Sequence, residues 1–336
     1  MRLLTTTLFL LALACHVSPV HTTGPAASPP LALVVSAYEA AAHMALPESA
    51  PEEHPDVPNL FVLSPNIISG GEPQSRAGFE LLAERGVKTI LSVDGKVPDA
   101  KTAAELGMRY VHIPIQYRGI KPSEILRIAK TFRELEAPFF VHCFHGRHRG
   151  PAVAALGRVV LDGITRQQAI AEMRQWMGTS SQYEGLYLTI ARAPMPGARE
   201  TAALAFGFPA ARPFVGFRQV MVETSRVWDI LQALSDRGWS VDPAHPDVDP
   251  VNQARQLSDL FMAALGMEEV QERPPTLRDW LTEAQSEAAG LVSHLEGLSA
   301  AHSAPYRPTG GIEGAGAAMG RLQSACNACH REHRND

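Results

Sequence analysis

The secondary-structure pattern of the chain changes once, at an Ala-, Pro- and Gly-rich segment around residues 194–213. Before it, from residue 59 to about 193, short β-branched and apolar runs alternate with helical patterns, as in VKTILSV, RYVHIPI and APFFVHC. Such alternation is typical of an α/β layer with a largely parallel central sheet and flanking helices. After it, no segment has the pattern of a strand. The sequence therefore predicts a multidomain protein, with an α/β domain at 57–195, a linker at 196–214 and an all-α domain at 215–336.

The all-α region contains four helical patterns, at roughly 215–237, 252–265, 276–298 and 312–334. In the third, apolar residues recur at spacings of four and three, and they are Leu277, Leu281, Ala284, Ala288, Leu291, Leu295 and Leu298. This is the apolar seam of a helix packed in a bundle. The region is therefore predicted to be a four-helix bundle.

The N-terminus combines one basic residue, Arg2, with a short apolar run at residues 3–14 and a cysteine, Cys15. The run is too short to cross a bilayer and has the form of a secretory signal. We therefore expect residues 1–15 to direct export to the bacterial periplasm. Lipidation of Cys15, giving a membrane anchor, and simple cleavage nearby both stay open at this stage. Residues 16–56 are rich in Pro, Ala, Thr and Ser, and we expect a low-complexity tether or irregular arm.

The net charge and the positions of the cysteines argue against a nucleic-acid-binding protein and against a disulfide-stabilised fold. The net charge of −5 provides no basic face for nucleic acid, so no nucleic-acid partner is expected. The four cysteines fall in three recognisable motifs, so no structural disulfide framework is expected; they are Cys15, Cys143, and the pair Cys326 and Cys329.

The last helical pattern carries the pentapeptide Cys326–His330, CNACH. C-x-x-C-H is the spacing of covalent haem attachment, because two cysteines three apart on a helix reach one porphyrin edge and the histidine then faces the iron. Both cysteines extend the apolar stripe of Ile312, Ala315, Met319 and Leu322. A zinc site would need two further soft ligands, and a redox pair belongs at the start of a helix after a strand. We therefore expect one haem c, attached through Cys326 and Cys329.

The region from about residue 215 resembles cytochrome c′, a four-helix bundle with its haem motif on the last helix. That family typically reads C-x-x-C-H-x-x-Tyr-Arg, whereas here His333 replaces the tyrosine and Arg334 is retained. The resemblance implies His330 as the axial iron ligand, and pairing of two copies through the helical bundle as a homodimer. It also implies a sixth position that is vacant or filled from the first helix, where Met221 is the candidate. Met221 as an ordinary core residue is the alternative.

A second motif, VHCFHGRHRG, spans residues 141–150 between a predicted strand and a predicted helix. It places five residues between Cys143 and Arg149. Loop amides and a helix N-terminus in this setting point at a bound anion, and the arginine fork can hold two phosphate oxygens. The same positive surroundings favour a thiolate at Cys143. The candidate phosphate-binding residues are Phe144, His145, Gly146, Arg147, His148 and Arg149. A buried structural cysteine with a coincidental arginine is the alternative.

The loop resembles the H-C-x-x-G-x-x-R signature of the protein tyrosine phosphatase superfamily, in a context similar to the compact dual-specificity type. The resemblance covers about residues 57–193, and NIISGGEPQSRAGFELLAERGVKTILSV is similar to the bacterial branch of that group. It implies that Cys143 is the nucleophile and that Arg149 binds the transition state. It also implies that His142 orients the loop and helps to keep the thiol ionised.

Two positions depart from the family pattern. Gly150 stands where a serine or threonine usually follows the arginine, and residues 106–123 contain no carboxylate to act as general acid. Loss of a general acid typically costs about 10²–10⁴-fold in rate. That loop carries Arg118 and Lys121 instead, which favour anion capture. Asp94, at a strand end, is the first substitute acid; the other substitutes are His112, His145 and His148.

Two functional hypotheses fit these residues. The first is an exported, haem-containing phosphatase, that is, a phosphoric monoester hydrolase of the tyrosine or dual-specificity type, whose haem domain serves redox or gas sensing or electron transfer. The alternative is an anion-binding pseudophosphatase carried by an electron-transfer or gas-binding cytochrome. Expected partners are a phosphate ester or other oxyanion, and a redox partner or diatomic gas.

Overall fold

The computed structural model describes residues 28–241, 248–301 and 309–333. The signal-like residues 1–15, including Cys15, and Arg334 lie outside the described residues. No helix within the described ranges is both long enough and apolar enough to cross a membrane.

A five-stranded sheet organises the first half of the chain. Its strands are β1 (Phe61–Val62), β2 (Ile67–Gly71), β3 (Thr89–Ser92), β4 (Arg109–His112) and β5 (Phe139–Cys143). They lie in the order β1-β2-β5-β3-β4, and only the β1–β2 pair is antiparallel. The predicted α/β class with a largely parallel sheet is therefore confirmed.

Helices cover both faces of this sheet, which explains why β2, β3 and β5 are buried along their whole length. Phe139 and Val141 of β5 belong to one buried cluster, whereas Phe140 belongs to another on the opposite face. This division follows from the two-residue repeat of a strand. The flanking helices are α1 (Arg76–Glu84), α2 (Ala100–Glu105), α3 (Pro122–Glu134), α4 (Arg149–Gly157), α5 (Arg166–Ala171) and α6 (Glu184–Arg192).

The two segments expected to be irregular pack against this layer. In the described part of the expected tether, Leu31 N donates to Ala191 O, and the Glu184 carboxylate accepts from Ala37 N at 2.6 Å. Ala37 is fully buried, so this arm covers the domain rather than hanging from it. Within the described part of this arm, the only helical segment is a short 3₁₀ turn at Glu39–Ala41. The expected linker contains α7 (Ala198–Ala203), which packs on α3.

The second half of the described chain is helical, as predicted. Its long helices are α8 (Phe217–Asp236), α9 (Pro250–Leu265), α11 (Pro275–Ala301) and α12 (Thr309–His333). A short α10 (Glu268–Gln271) connects α9 to α11 and was not predicted. The apolar seam of α11 is buried along its length and joins residues of the other three long helices in one core cluster.

Helices α8 and α9 face the carboxyl ends of the parallel strands. Val97, in the loop after β3, donates its N–H to Asp259 Oδ2 of α9 at 3.2 Å. Arg212, just before α8, donates its N–H to His112 Nδ1 at 3.0 Å. The carboxyl ends of parallel strands are where α/β proteins place their ligands. The helical half therefore adjoins the functional edge of the sheet.

Candidate functional site

The loop after β5 is arranged as an anion cradle. The carbonyl of Phe144 accepts from Glu72 N at 3.0 Å, that of His145 from Asn59 Nδ2 at 2.7 Å, and that of Arg147 from Thr179 Oγ1 at 2.7 Å. In a planar trans peptide the N–H points opposite to the carbonyl. Because these carbonyls are bonded to the surrounding scaffold, the following amides face the inside of the loop. Cys143 lies at its base, buried and with a free thiol.

Two glycines allow this loop to pack closely on the sheet. Gly146 has φ +73°, and a Cβ there would lie 2.2 Å from the Gly70 carbonyl carbon. A Cβ on Gly150 would lie 3.0 Å from Cys143 N. Any side chain at position 150 therefore presses on the strand that carries the thiol. This contact gives a physical reason for the departure at Gly150.

Arg149, the first residue of α4, is buried and paired with Asp94. Its Nη2 lies 2.5 Å from Asp94 Oδ2, while Asp94 Oδ1 accepts from Lys96 N at 2.9 Å. Burial alone would raise the pKa of Asp94, but Arg149 and the Lys96 N–H outweigh it and lower the pKa below its ordinary value. Asp94 is thus beside the site, as its strand-end position indicated. The ionised Asp94 carboxylate can hold Arg149 in place, but it carries no proton to give to a leaving group.

His142 is held neutral by the interior of the sheet. Its Nδ1 lies 3.3 Å from Cys143 O and its Nε2 lies 2.6 Å from Tyr110 Oη. Since a carbonyl only accepts, Nδ1 carries the proton and Nε2 accepts from the tyrosine. Burial lowers the pKa of His142 to about 4. His142 can therefore orient the loop, but it contributes no positive charge to an ionised thiol near neutral pH, which corrects the second half of its expected role.

The other histidines proposed as general acids, His112, His145 and His148, contact neighbouring residues of the fold. His112 donates from Nε2 to Asp94 O at 2.9 Å and accepts at Nδ1, and burial lowers its pKa to about 4. His148 is buried with its ring 4.5 Å from that of Tyr183, and His145 lies against Phe144 at 4.6 Å. The single ring proton of His112 is thus already donated.

A cleft of about 370 Å³ opens beside Arg149. One wall is the loop that follows β4, including Gln116, Tyr117 and Arg118, and the Arg149 guanidinium lies 4.2 Å from the centre of the Tyr117 ring. The opposite wall belongs to α8 and α9 of the helical half, with Asp259 among its residues. The cleft falls within the roughly 300–1,000 Å³ typical of small-ligand sites.

Several residues of this site were not predicted. Tyr110 and Asn59 act through contacts between distant segments, and no local sequence pattern marks them. Glu72 was also missed; its carboxylate accepts from Lys96 Nζ at 2.7 and 2.8 Å, and burial raises its pKa. The SGGEPQ turn after β2, noted only as part of a resemblance, was the available signal for Glu72.

A second candidate site lies inside the helical half. Cys326, Cys329 and His330 of α12 and Met221 of α8 line one cavity of about 160 Å³. Its remaining wall is mostly apolar and includes Trp228, Leu257, Phe261, Trp280, Leu281 and Ala284. His333 is turned away and lies with Nε2 2.9 Å from Thr276 Oγ1.

The residues of this cavity fit a haem in their chemistry. Both thiols are free, and burial raises the pKa of Cys329 to about 11, unlike the acidic thiols of redox pairs. No group of three potential metal-ligating side chains (His, Cys, Asp or Glu) occurs in the part of the chain that the structure describes. The volume is below that of most ligand cavities, so a haem would have to displace wall side chains such as Trp228 and Trp280.

Known proteins similar to this chain are dual specificity phosphatases. The dual specificity protein phosphatase TpbA of Pseudomonas aeruginosa strain UCBPP-PA14 is 30% identical over 119 residues, which cover 35% of this chain and 54% of that protein. TpbA of strain PAO1 is 29% identical over 118 residues. The chain thus spans about half the length of the curated relatives it matches. No protein-family model matches the chain.

Two solved structures of TpbA also match part of the chain, with low TM-scores. The crystal structure of P. aeruginosa TpbA is 26% identical, with a TM-score of 0.37, and the match covers 42% of this chain and 89% of TpbA. A variant of TpbA in complex with phosphotyrosine is 25% identical, with a TM-score of 0.33, and the match covers 43% of this chain and 97% of that protein. The region similar in sequence to TpbA covers about a third of the chain, at 35% and 34% for the two strains.

Proposed function

We propose that the α/β half of this protein hydrolyses a phosphate monoester. The observation that carries the proposal is the placement of Cys143 at the base of a loop whose amides face inward, with Arg149 at the start of α4 beside it. Backbone amides and a helix N-terminus bind an anion together. The Arg149 guanidinium is a planar fork of N–H donors whose geometry matches two oxygens of a phosphate.

The chemistry takes two steps. Cys143 Sγ, as the thiolate, attacks phosphorus, the P–O ester bond breaks, and the leaving oxygen takes a proton and departs as an alcohol. Water then attacks the phosphorus of the cysteinyl phosphate, the S–P bond breaks, and inorganic phosphate and the thiolate are released. Arg149 and the loop amides stabilise the charge on the equatorial oxygens in both steps.

The direct test is turnover of 4-nitrophenyl phosphate and of phosphotyrosine by the full chain. We expect Cys143→Ser to abolish turnover and Arg149→Lys, which lacks the planar fork, to reduce it by about 10²-fold or more. Arg76→Lys, an exposed arginine on α1, is the matched control and should retain full activity. Equal rates for wild type and Cys143→Ser would overturn the proposal.

We also propose that the helical half carries one haem c. Cys326 and Cys329 would form the thioether links and His330 would supply the axial nitrogen. When bound, such a haem supplies electron transfer or binding of a diatomic gas. The apolar cavity shared by these residues and α8 supports this proposal. We further propose export to the periplasm, supported by the signal-like residues 1–15 and by the haem-attachment motif together.

Covalent attachment has a readout that is independent of any activity. On a denaturing gel, protein made with the haem-attachment machinery of the periplasm should retain a haem stain and the added mass of one haem. Cys326→Ser with Cys329→Ser should lose both, whereas Cys143→Ser should keep both. A wild-type chain without bound haem in that experiment would contradict the proposal.

A second candidate function is anion binding without turnover. It is favoured by the absence of a carboxylate from residues 106–123 and by the commitment of Asp94 to Arg149. Calorimetric binding of inorganic phosphate by a wild-type protein that fails to hydrolyse either ester would select this candidate over the phosphatase.

A further inference from the structure

The wall of the Arg149 cleft that faces the β4–α3 loop is made by the helical half. From α9 it includes Gln256 and Asp259, which approach the loop after β3. Gln256 Oε1 would lie 2.3 Å from a Cβ on Gly95, so the amide occupies space that only a glycine leaves open. Asp259 accepts the N–H of Val97 at 3.2 Å. Gly95 directly follows the Asp94 that pairs with Arg149, so these contacts connect α9 to the anion cradle.

This wall also carries a polar group that lacks a partner. Gln256 is 9% exposed, and its Nε2 makes no hydrogen bond to any residue that the structure describes. A buried amide N–H without a partner is unfavourable, because it has lost its hydrogen bonds to water. A bound ester, which brings several acceptor oxygens into the cleft, would satisfy this donor. The wall is therefore built as a polar ligand surface and not only as a packing contact.

Four carboxylates border the cleft, and one of them differs from the rest. Glu124 and Glu223 are held in ion pairs with Lys121 and Arg226 respectively, and Asp229 is exposed. Asp259 is half-buried, and burial raises its pKa above the ordinary value in spite of the Val97 N–H. A raised pKa favours the protonated form of the carboxyl group, which is the form that a general acid needs.

We propose that Asp259 of the helical half is the general acid of the phosphatase site, replacing the carboxylate that the β4–α3 loop lacks. The inference rests on the proposed phosphatase function. In the first step the Asp259 carboxyl gives its proton to the ester oxygen as the P–O bond breaks, and the alcohol leaves. In the second step the Asp259 carboxylate takes a proton from the attacking water. The site is thus shared between the two halves of the chain.

The test compares two esters with leaving groups of different basicity, using the full chain. Asp259→Asn retains an oxygen that can accept from Val97 N, so docking of α9 is preserved, but it carries no acidic proton. For phenyl phosphate, whose leaving oxygen needs a proton, we expect a loss of about 10²-fold in kcat/KM, which reports the first step and not the later attack of water. For 2,4-dinitrophenyl phosphate, whose leaving group departs as an anion, we expect a loss of less than about tenfold.

Asp229→Asn is the matched control, because it neutralises an exposed carboxylate on the same cleft and should slow both esters equally or not at all. An Asp259→Asn variant with equal losses on the two esters, or with none, would overturn the assignment of Asp259 and leave the phosphatase function intact. Failure of the wild type to exceed Cys143→Ser on the dinitrophenyl ester would instead overturn the phosphatase function and the inference with it.

Discussion

At the scale of single residues, Gly150 links the start of α4 to the end of β5. Adding a methyl group there brings Cβ within 3.0 Å of Cys143 N. Overpacking of this kind typically costs about 1–3 kcal/mol. We therefore expect Gly150→Ala to lower the free energy of unfolding by that amount and to reduce turnover, because the displaced strand end carries the thiol.

Gly290→Ala on α11 is the control for this substitution. A Cβ at Gly290 meets no atom within 4 Å, so replacement of a helical glycine should stabilise the protein by about 0.5–1 kcal/mol. Urea unfolding of the two variants measures both effects. A Gly150→Ala protein as stable as the wild type would show that the end of β5 can shift to make room for the added methyl group without loss of stability.

Buried neutral histidines predict acid sensitivity. His112 and His142 each have a pKa lowered by burial from 6.5 to about 4. Since the unfolded chain binds these protons at higher pH than the folded chain does, stability is complete above about pH 6.5 and falls as the pH drops toward 4. The loss is on the order of 3 kcal/mol per histidine at pH 4.

Urea unfolding at several pH values between 7 and 4 checks this expectation. His112→Asn keeps an acceptor for Arg212 N and removes one titrating group. Its stability should therefore fall about half as steeply with decreasing pH as that of the wild type. Equal slopes for the two proteins would show that His112 titrates normally in the folded state.

The sequence was enough to predict a site whose residues lie within one loop, but not contacts between residues that are far apart in the chain. Cys143, Gly146 and Arg149 lie within one loop, so their spacing alone indicated an anion cradle. Asp94 was placed correctly because strand ends converge, but its role depends on a 2.5 Å contact with Arg149 that no spacing encodes. The tautomer of His142 likewise depends on Tyr110, a partner on β4, a strand that does not directly adjoin its own.

At the scale of elements, α8 decides whether the proposed haem has an open coordination position. Met221 lines the cavity but also packs with the apolar core of the bundle. We expect the core role, with carbon monoxide binding the reduced protein and Met221→Ala leaving the reduced spectrum unchanged. Met267→Ala, in the same core cluster, is the control. A spectral change in Met221→Ala alone would identify Met221 as an iron ligand.

The long helices and the strands were predicted because each repeats its pattern over many residues. Segments that lack a period gave no such signal, so their packing against the α/β layer could not be predicted. The arm before β1 and helix α7 are held by contacts with distant partners, such as Lys130 Nζ with Thr201 O at 3.0 Å. Their composition resembles that of a linker because their partners, rather than their own repeats, fix their conformation.

At the scale of the whole molecule, the contact between Gly95 and α9 should couple the unfolding of the two halves. A leucine at position 95 would direct its side chain into Gln256 and push α9 away from the sheet. We expect Gly95→Leu to weaken the contact by about 1–3 kcal/mol and to separate one calorimetric transition into two.

Gly207→Leu is the control for this substitution, since a Cβ there meets nothing within 4 Å. It should leave the thermogram unchanged. Two resolved transitions in the wild type would contradict the expected coupling from the outset. The contact between Gly95 and α9 could not be predicted from the sequence. Asn252, Gln253 and Gln256 give α9 the pattern of a helix with a solvent-exposed face.

Helix α9 has almost no solvent-exposed face. Of its residues from Pro250 to Leu265, only Met262 is exposed. Its apolar side packs in the bundle, Gln256 and Asp259 border the Arg149 cleft, and Leu257 and Phe261 border the cavity of Cys326. A helix that is covered on nearly every side has few positions at which a substitution leaves packing and the two sites unaffected. Among related proteins that retain both halves, α9 should diverge more slowly than α11, whose outer side is free to vary.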